Sequence, residues 1–148
     1  MPDQRNLMNF EELYIRVQRR IASEWHKRLD TLISGSQSFI LQLLAVHGPQ
    51  KVSAIAERLD ITPGAVTSLA DKLMTGGYVE RKRDTVDRRV VYLEITDQGR
   101  EMLVRYKAEL KRTVEDFFVG LSEEDLNHLI RIYQQVLRNI EHSREENS

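Results

Sequence analysis

The sequence predicts a mainly α-helical chain with one small β-hairpin. Three observations lead there: apolar residues recur at spacings of three and four over most of the chain, one short segment near the middle alternates instead, and Gly and Pro stand where helices would stop and start. At 148 residues the chain has the size of one ordinary domain, large enough for a core without disulfides or metals. With 30% charged and 41% hydrophobic residues, collagen-like, low-complexity and fully disordered readings are excluded.

From Phe10 the apolar positions Leu13, Tyr14, Val17, Ile21, Trp25, Leu29 and Leu32 lie on one stripe, so a long amphipathic helix ends near Ser34-Gly35. A second helix is expected to start in the Ser36 to Ser38 cluster, run through FILQLLAVH and stop at Gly48-Pro49; apolar nearly all round, it should be buried. Val52, Ile55, Ala56 and Leu59 mark a short third helix. Only Asp60, Ile61 and Thr62 follow before Pro63, and Thr-Pro is a hydroxyl N-cap followed by proline at the first helical position. The fourth helix turns Val66, Leu69, Ala70 and Leu73 inward and ends at Gly76-Gly77; Gly64, Thr67, Ser68, Asp71, Lys72 and Thr75 fall on its outer side.

YVER and RVVYLEI then read as two strands around the polar stretch KRDTVD, with Val91, Leu93 and Ile95 on one face. Thr96 caps a fifth helix bearing Met102, Leu103, Tyr106, Leu110, Val114, Phe117 and Phe118, stopped by Gly120. Ser122, with Asp125 three residues on, opens a last helix through Leu126, Leu129, Ile130, Tyr133, Val136, Leu137 and Ile140, and the tail HSREENS is expected to fray.

The net charge of −1 hides an uneven distribution. Residues 97–148 carry eight Lys/Arg against eleven Asp/Glu, whereas the nine residues Arg81 to Arg89 hold five basic side chains and two acidic ones. Focused basic charge suits phosphate contact, and a solvated loop shows the same feature. The eight-residue run Phe39 to Val46 is too short to span a membrane, and MPDQRNLMNF lacks a signal core, so a cytoplasmic protein without membrane partners is expected. The chain has no cysteine, which excludes disulfides, thiolate metal ligands and cysteine-based catalysis or peroxide sensing.

Two short helices joined by a three-residue turn, followed by a hairpin with a basic tip, form a winged helix-turn-helix. Short polar side chains on the second of these helices suit the major groove, whose base edges carry distinct donor and acceptor patterns. Arginine at a hairpin tip suits the narrow, electronegative minor groove. Candidate contacts to double-stranded DNA are therefore Thr62, Gly64, Thr67, Ser68, Asp71 and Lys72 on the helix, with Arg81, Lys82, Arg83, Asp87, Arg88 and Arg89 on the hairpin. The plain alternative is a solvated helix face beside a surface ion pair.

The stretch LDITPGAVTSLADKLMTGGYVERKRDTVDRRVVYLEITDQGREML resembles the core of the MarR family of bacterial transcriptional regulators. Its most specific parts are DKLMTGGYVER, the Asp87-Arg88-Arg89 triplet and the LEITDQG segment. The resemblance implies a homodimer with interdigitated terminal helices, each lobe placing its recognition helix in the major groove and its wing in the minor groove. It assigns Arg89 as the minor-groove arginine and Asp87 as the carboxylate that holds the wing. On this view residues 1–34 and 97–148 form a helical dimerisation region, and residues 35–96 the DNA-binding lobe. Independently, the terminal helices carry more large apolar side chains than a winged lobe of this size could cover, although an intrachain four-helix arrangement would also bury them.

The family often binds small aromatic or amphipathic effectors between these regions, and Tyr14, Trp25, His26 and His47 are the candidate lining; plain core packing is the alternative for Tyr14 and Trp25. The histidines show no paired metal-ligand spacing, so neither a metal nor a cofactor is expected. No phosphate-loop, dinucleotide or nucleophile-elbow motif is present, and no catalytic residue is assigned. The expected function is sequence-specific transcriptional regulation, as a repressor on a pseudo-palindromic operator. The rival is a winged-helix module that binds protein and not DNA.

Overall fold

The computed structural model describes residues 1–147. In order, the elements are α1 (Gln4–Arg28), α2 (Gly35–His47), β1 (Gln50–Lys51), α3 (Val52–Leu59), α4 (Pro63–Thr75), β2 (Val79–Arg83), β3 (Val91–Ile95), α5 (Asp97–Phe117) and α6 (Glu123–Glu146). The described residues form two compact units, Met1–Thr113 and 114–147, with the division falling inside α5.

In the first unit the core draws on every element of the helix-turn-helix and the hairpin. Ile40, Leu41 and Leu44 of α2, Ile55 of α3, Val66 and Leu73 of α4 and Leu93 of β3 are all buried, with Leu29 and Ile33 after α1 and Met102, Leu103 and Tyr106 of α5. This packing division differs from one drawn at 34/35 and 96/97, because the end of the first helical segment and the first half of α5 share the lobe's core. Fully burying an aliphatic side chain of this kind stabilises by roughly 1.5–3 kcal/mol, so this core fixes α4 against the sheet.

Local signals explain the boundaries. The Asp3 carboxylate accepts from Arg5 N, so α1 begins at Gln4 and not near Phe10, where the apolar stripe starts. Ser34 and Gln37 form a reciprocal capping box, placing the start of α2 at Gly35. That helix is not buried all round: Phe39 and Val46 are exposed, because neighbours cover only the face carrying Ile40, Leu41 and Leu44. Asp60 ends α3 in the left-handed region at φ 54°, which aspartate tolerates, and makes the turn into α4 short.

The sheet is antiparallel with order β1-β3-β2. Strand β1, Gln50 paired with Leu93 and Lys51 with Tyr92, was not expected, since two polar residues carry no alternation. Strand β2 runs through Lys82 and Arg83, two residues past the expected YVER, because these charged residues pair with Tyr92 and Val91 of β3. As expected, Leu93 and Ile95 face the core.

In the second unit, Ser122 Oγ accepts from Asp125 N and starts α6, which continues through Glu146. Its helical geometry extends into the HSREENS tail, of which Ser148 lies outside the described residues: Ser143 donates to Asn139 O, and Asn147 Nδ2 donates to Ser143 O, which gives one of the terminal carbonyls a side-chain partner. Among the described residues no helix is long and apolar enough to cross a membrane.

Candidate nucleic-acid interface

Helix α4 begins as the sequence indicates, with Thr62 Oγ1 accepting from Ala65 N at 3.1 Å and Pro63 in the first turn. Burial of Val66, Ala70 and Leu73 turns Thr62, Gly64, Thr67, Ser68, Asp71 and Lys72 outward, and all six are exposed. Thr67 donates its hydroxyl to Pro63 O at 3.0 Å, which leaves its methyl and an oxygen lone pair toward solvent. Ser68 and Lys72 have no side-chain partner among the described residues. At Gly64 an added Cβ would meet only Thr62 Oγ1, at 3.9 Å, so the helix start is open to close approach from outside.

The wing is ordered by its acidic residues. Asp87 Oδ1 accepts from both Arg89 N and Arg89 Nε at 3.1 Å, and its Oδ2 accepts from Arg89 Nη2 at 3.3 Å. This fork holds the Arg89 guanidinium in one orientation while leaving 91% of the side chain exposed. Hydrogen bonds from the Arg89 side chain and then its backbone, with the Lys51 charge adding, hold the Asp87 carboxyl below the usual carboxylate range. At the wing's base Asp84 Oδ1 accepts from Val86 N at 2.8 Å, and Asp84 N donates to Val90 O, closing the loop.

The remaining basic residues are mostly engaged. Lys82 Nζ lies 2.7 Å from Glu94 Oε2 across the strands, and that contact raises the lysine's pKa. Arg83 Nη1 donates to Arg88 O at 2.9 Å, bracing the tip. Arg81 Nη2 donates to Asp71 Oδ1 at 3.1 Å, joining β2 to α4. Arg88 is exposed and its guanidinium has no partner among the described residues. Eleven of the twelve expected residues are exposed and Asp87 is half-buried; together they lie on α4 and the hairpin, but Asp71, Arg81, Lys82, Arg83 and Asp87 also stabilise that surface internally.

A family profile described as MarR family matches residues 33–91, the span from the start of α2 to the start of β3. The HTH-type transcriptional regulator YdgJ of Bacillus subtilis (strain 168), itself uncharacterized, is 31% identical over 110 residues, covering 74% of this chain and 67% of its own length. The chain belongs to the MarR family. The HTH-type transcriptional repressor MdtR of the same organism is 29% identical over 140 residues, covering 95% of this chain and 88% of its own. The crystal structure of the Bacillus subtilis YusO protein superposes with a TM-score of 0.80 at 29% identity, covering 93% and 99% of the two chains. This MarR-family chain is thus a transcriptional regulator with a DNA-binding winged helix, and its relatives are regulators and not enzymes.

The four effector candidates of this MarR-family protein do not converge. His47 lines a shallow groove of about 240 Å³ with Phe39, Gln42, Leu43, Val46 and Leu59, and Arg58 Nη1 donates to its Nε2 at 3.2 Å. The buried Oε1 of Gln42 has no hydrogen-bond partner among the described residues. Tyr14, Trp25 and His26 lie on α1, outside the groove lining. Tyr14 is exposed and accepts from Gln18 Nε2, Trp25 is half-buried against the core, and His26 sits on the surface 3.2 Å from Asp30. No metal-holding cluster occurs among the described residues. Sequence reading missed Asp84 and Glu94, which order the wing; for Asp84 a signal existed, since aspartate commonly accepts from the backbone N–H two residues on.

Proposed function

We propose that this regulator is a homodimeric repressor that reads a pseudo-palindromic operator. In this reading Thr62, Gly64, Thr67, Ser68 and Lys72 meet the major groove, Asp71 and Arg81 brace helix and wing within the same band, and Lys82, Arg83, Asp87, Arg88 and Arg89 form the wing side of the interface. The observation that carries it is the Asp87–Arg89 fork: a guanidinium held in one orientation yet almost fully exposed is pre-ordered for an external anion. Arg88 beside it supplies a guanidinium with no partner among the described residues.

Self-association is supported by the terminal helices, each taken by itself. Helix α1 leaves Leu7, Met8, Phe10 and Leu13 exposed, and α6 leaves Leu126, Ile130, Leu137 and Ile140 exposed; neither contains a buried residue. Apolar stripes of this length call for a partner surface. A second copy of the chain also gives the two half-sites of a palindrome, and regulators of this family act as dimers. Resemblance to the repressor MdtR supports the sign of regulation. For release, the apolar groove beside His47 supports a small amphipathic ligand.

Selection of duplexes from a random pool, followed by footprinting, tests the reading. Two protected half-sites about one helical turn apart, on the order of 10 base pairs, are expected. Protection of one isolated half-site by a monomer contradicts the dimer, and absence of salt-dependent binding to any duplex contradicts the DNA interface and favours a protein-binding module.

A further inference from the structure

Asp71 and Arg81 stand ten residues apart in sequence, yet their side chains meet at 3.1 Å. Asp71 lies one turn beyond Thr67 on the outer face of α4, and Arg81 is the middle residue of β2. That strand is at the edge of the sheet, with β3 as its one neighbour. The covalent link from α4 to β2 is the turn Gly76-Gly77-Tyr78, in which Gly77 takes φ +80°. Thr96 and Gln98 hold this turn by donating to Gly77 O at 2.7 Å and Gly76 O at 3.1 Å. Further along β2, the Arg81–Asp71 contact is the polar tie back to α4 among the described residues.

An ion pair with both partners more than half exposed adds little to stability, so its consequence is geometric. A carboxylate on a helix face that meets DNA also repels phosphates, and simple electrostatics makes Asp71 a hindrance to binding. We propose that Asp71 is a positioning residue that, through Arg81, fixes the angle of the wing on the recognition helix so that both reach their grooves together. The tie itself stands on the geometry alone; its consequence for binding rests on the DNA reading above.

The test uses the full-length protein as wild type, Asp71→Ala, Arg81→Ala, the double variant and Asp71→Glu. Hydrogen exchange without DNA reads the tie: residues 79–83 should exchange about three- to tenfold faster in both alanine variants, while the buried part of α5 is unchanged. Affinity for the selected operator over a salt series reads the positioning. Each single alanine variant should bind about five- to tenfold more weakly, the double variant no more weakly than the worse single one, and Asp71→Glu should recover most of the loss. The salt slope should stay at the wild-type value in Asp71→Ala; a slope reduced by about one in Arg81→Ala alone would identify Arg81 as a direct phosphate contact and overturn the positioning role. Unchanged exchange in both single variants overturns the tie. Asp71→Ala binding as tightly as wild type, or more tightly, overturns the positioning role. Wild-type protein that shows no salt-dependent binding overturns the DNA reading, and the positioning role with it, whatever exchange shows of the tie.

Discussion

Replacing Gly99 by alanine should destabilise the winged lobe by about 2–4 kcal/mol, although a glycine-to-alanine change in a helix ordinarily stabilises. Gly99 is buried in the first turn of α5, against the chain that leaves α4 for the wing. A Cβ there would fall far inside van der Waals contact with the Tyr78 carbonyl oxygen and stand 2.8 Å from Ile95 Cγ1 and 3.0 Å from the Tyr78 carbonyl carbon. Carbon contacts are comfortable at about 3.5–4.0 Å, so backbone must withdraw by roughly 1 Å. The Tyr78 carbonyl cannot move freely, because it accepts from Thr96 N at 3.0 Å while Thr96 donates to Gly77 O and accepts from Gly99 N. Overpacking costs about 1–3 kcal/mol and each loosened hydrogen bond about 1 kcal/mol more, against a helix-propensity gain below about 1 kcal/mol. Thermal denaturation followed by circular dichroism should show Tm lower by about 5–15 °C for a chain of this size. The internal control is Gly64→Ala, also in a first helical turn but with open space around the new methyl, which should raise Tm slightly. The Gly64 variant should nevertheless bind operator more weakly if the backbone there approaches phosphate. A Gly99→Ala protein melting within about 2 °C of wild type would refute the claim that the joint between wing and α5 has no room for one methyl group.

Other consequences can be measured independently. Arg89→Ala should weaken operator binding and flatten its salt dependence, Asp87→Ala should mimic part of that loss, and Thr67→Ala or Ser68→Ala should change base preference more than slope, as read by competition titrations at several salt concentrations. Because Asp87 is held below the usual carboxylate range, the unfolded chain binds more protons than the folded one as pH falls through that range, so this pairing favours folding fully above it and is lost as pH drops through the depressed folded value. Carboxyl-carbon NMR should therefore give Asp87 a midpoint below the usual aspartate range, and much of that shift should be lost in Arg89→Ala, while the residue-89 backbone N–H and the Lys51 charge keep the remainder. The raised Lys82 works in the opposite sense, its contribution complete below the usual lysine range and lost as pH climbs through the folded value. Removing residues 1–20 or 121–148 should yield a monomer by sedimentation with loss of tight operator binding. With no cysteine present, binding should be indifferent to mild peroxide, whereas release that a thiol reductant reverses would contradict control by ligand.

Much of the DNA-facing design is written in local sequence. Thr62-Pro63 starts α4, Gly76-Gly77 ends it, the spacing of Val66, Ala70 and Leu73 decides which face turns out, and Asp87 next to Arg89 forms its fork within two residues. Such features depend on nearest neighbours along the chain, and periodicity reports them directly. What the tertiary structure decided involves partners distant in sequence. Strand β1 exists only because Leu93 and Tyr92 offer it an edge, β2 extends through two charged residues because β3 continues opposite them, and Gly99 is required only because Tyr78 packs against it. The same holds for the basic cluster, where composition counts charges but cannot say which are already engaged. Arg81 with Asp71, Lys82 with Glu94 and Arg83 with the Arg88 carbonyl are fixed by the packing of α4 and by strand register, because an exposed side chain takes the partner that the backbone brings within reach.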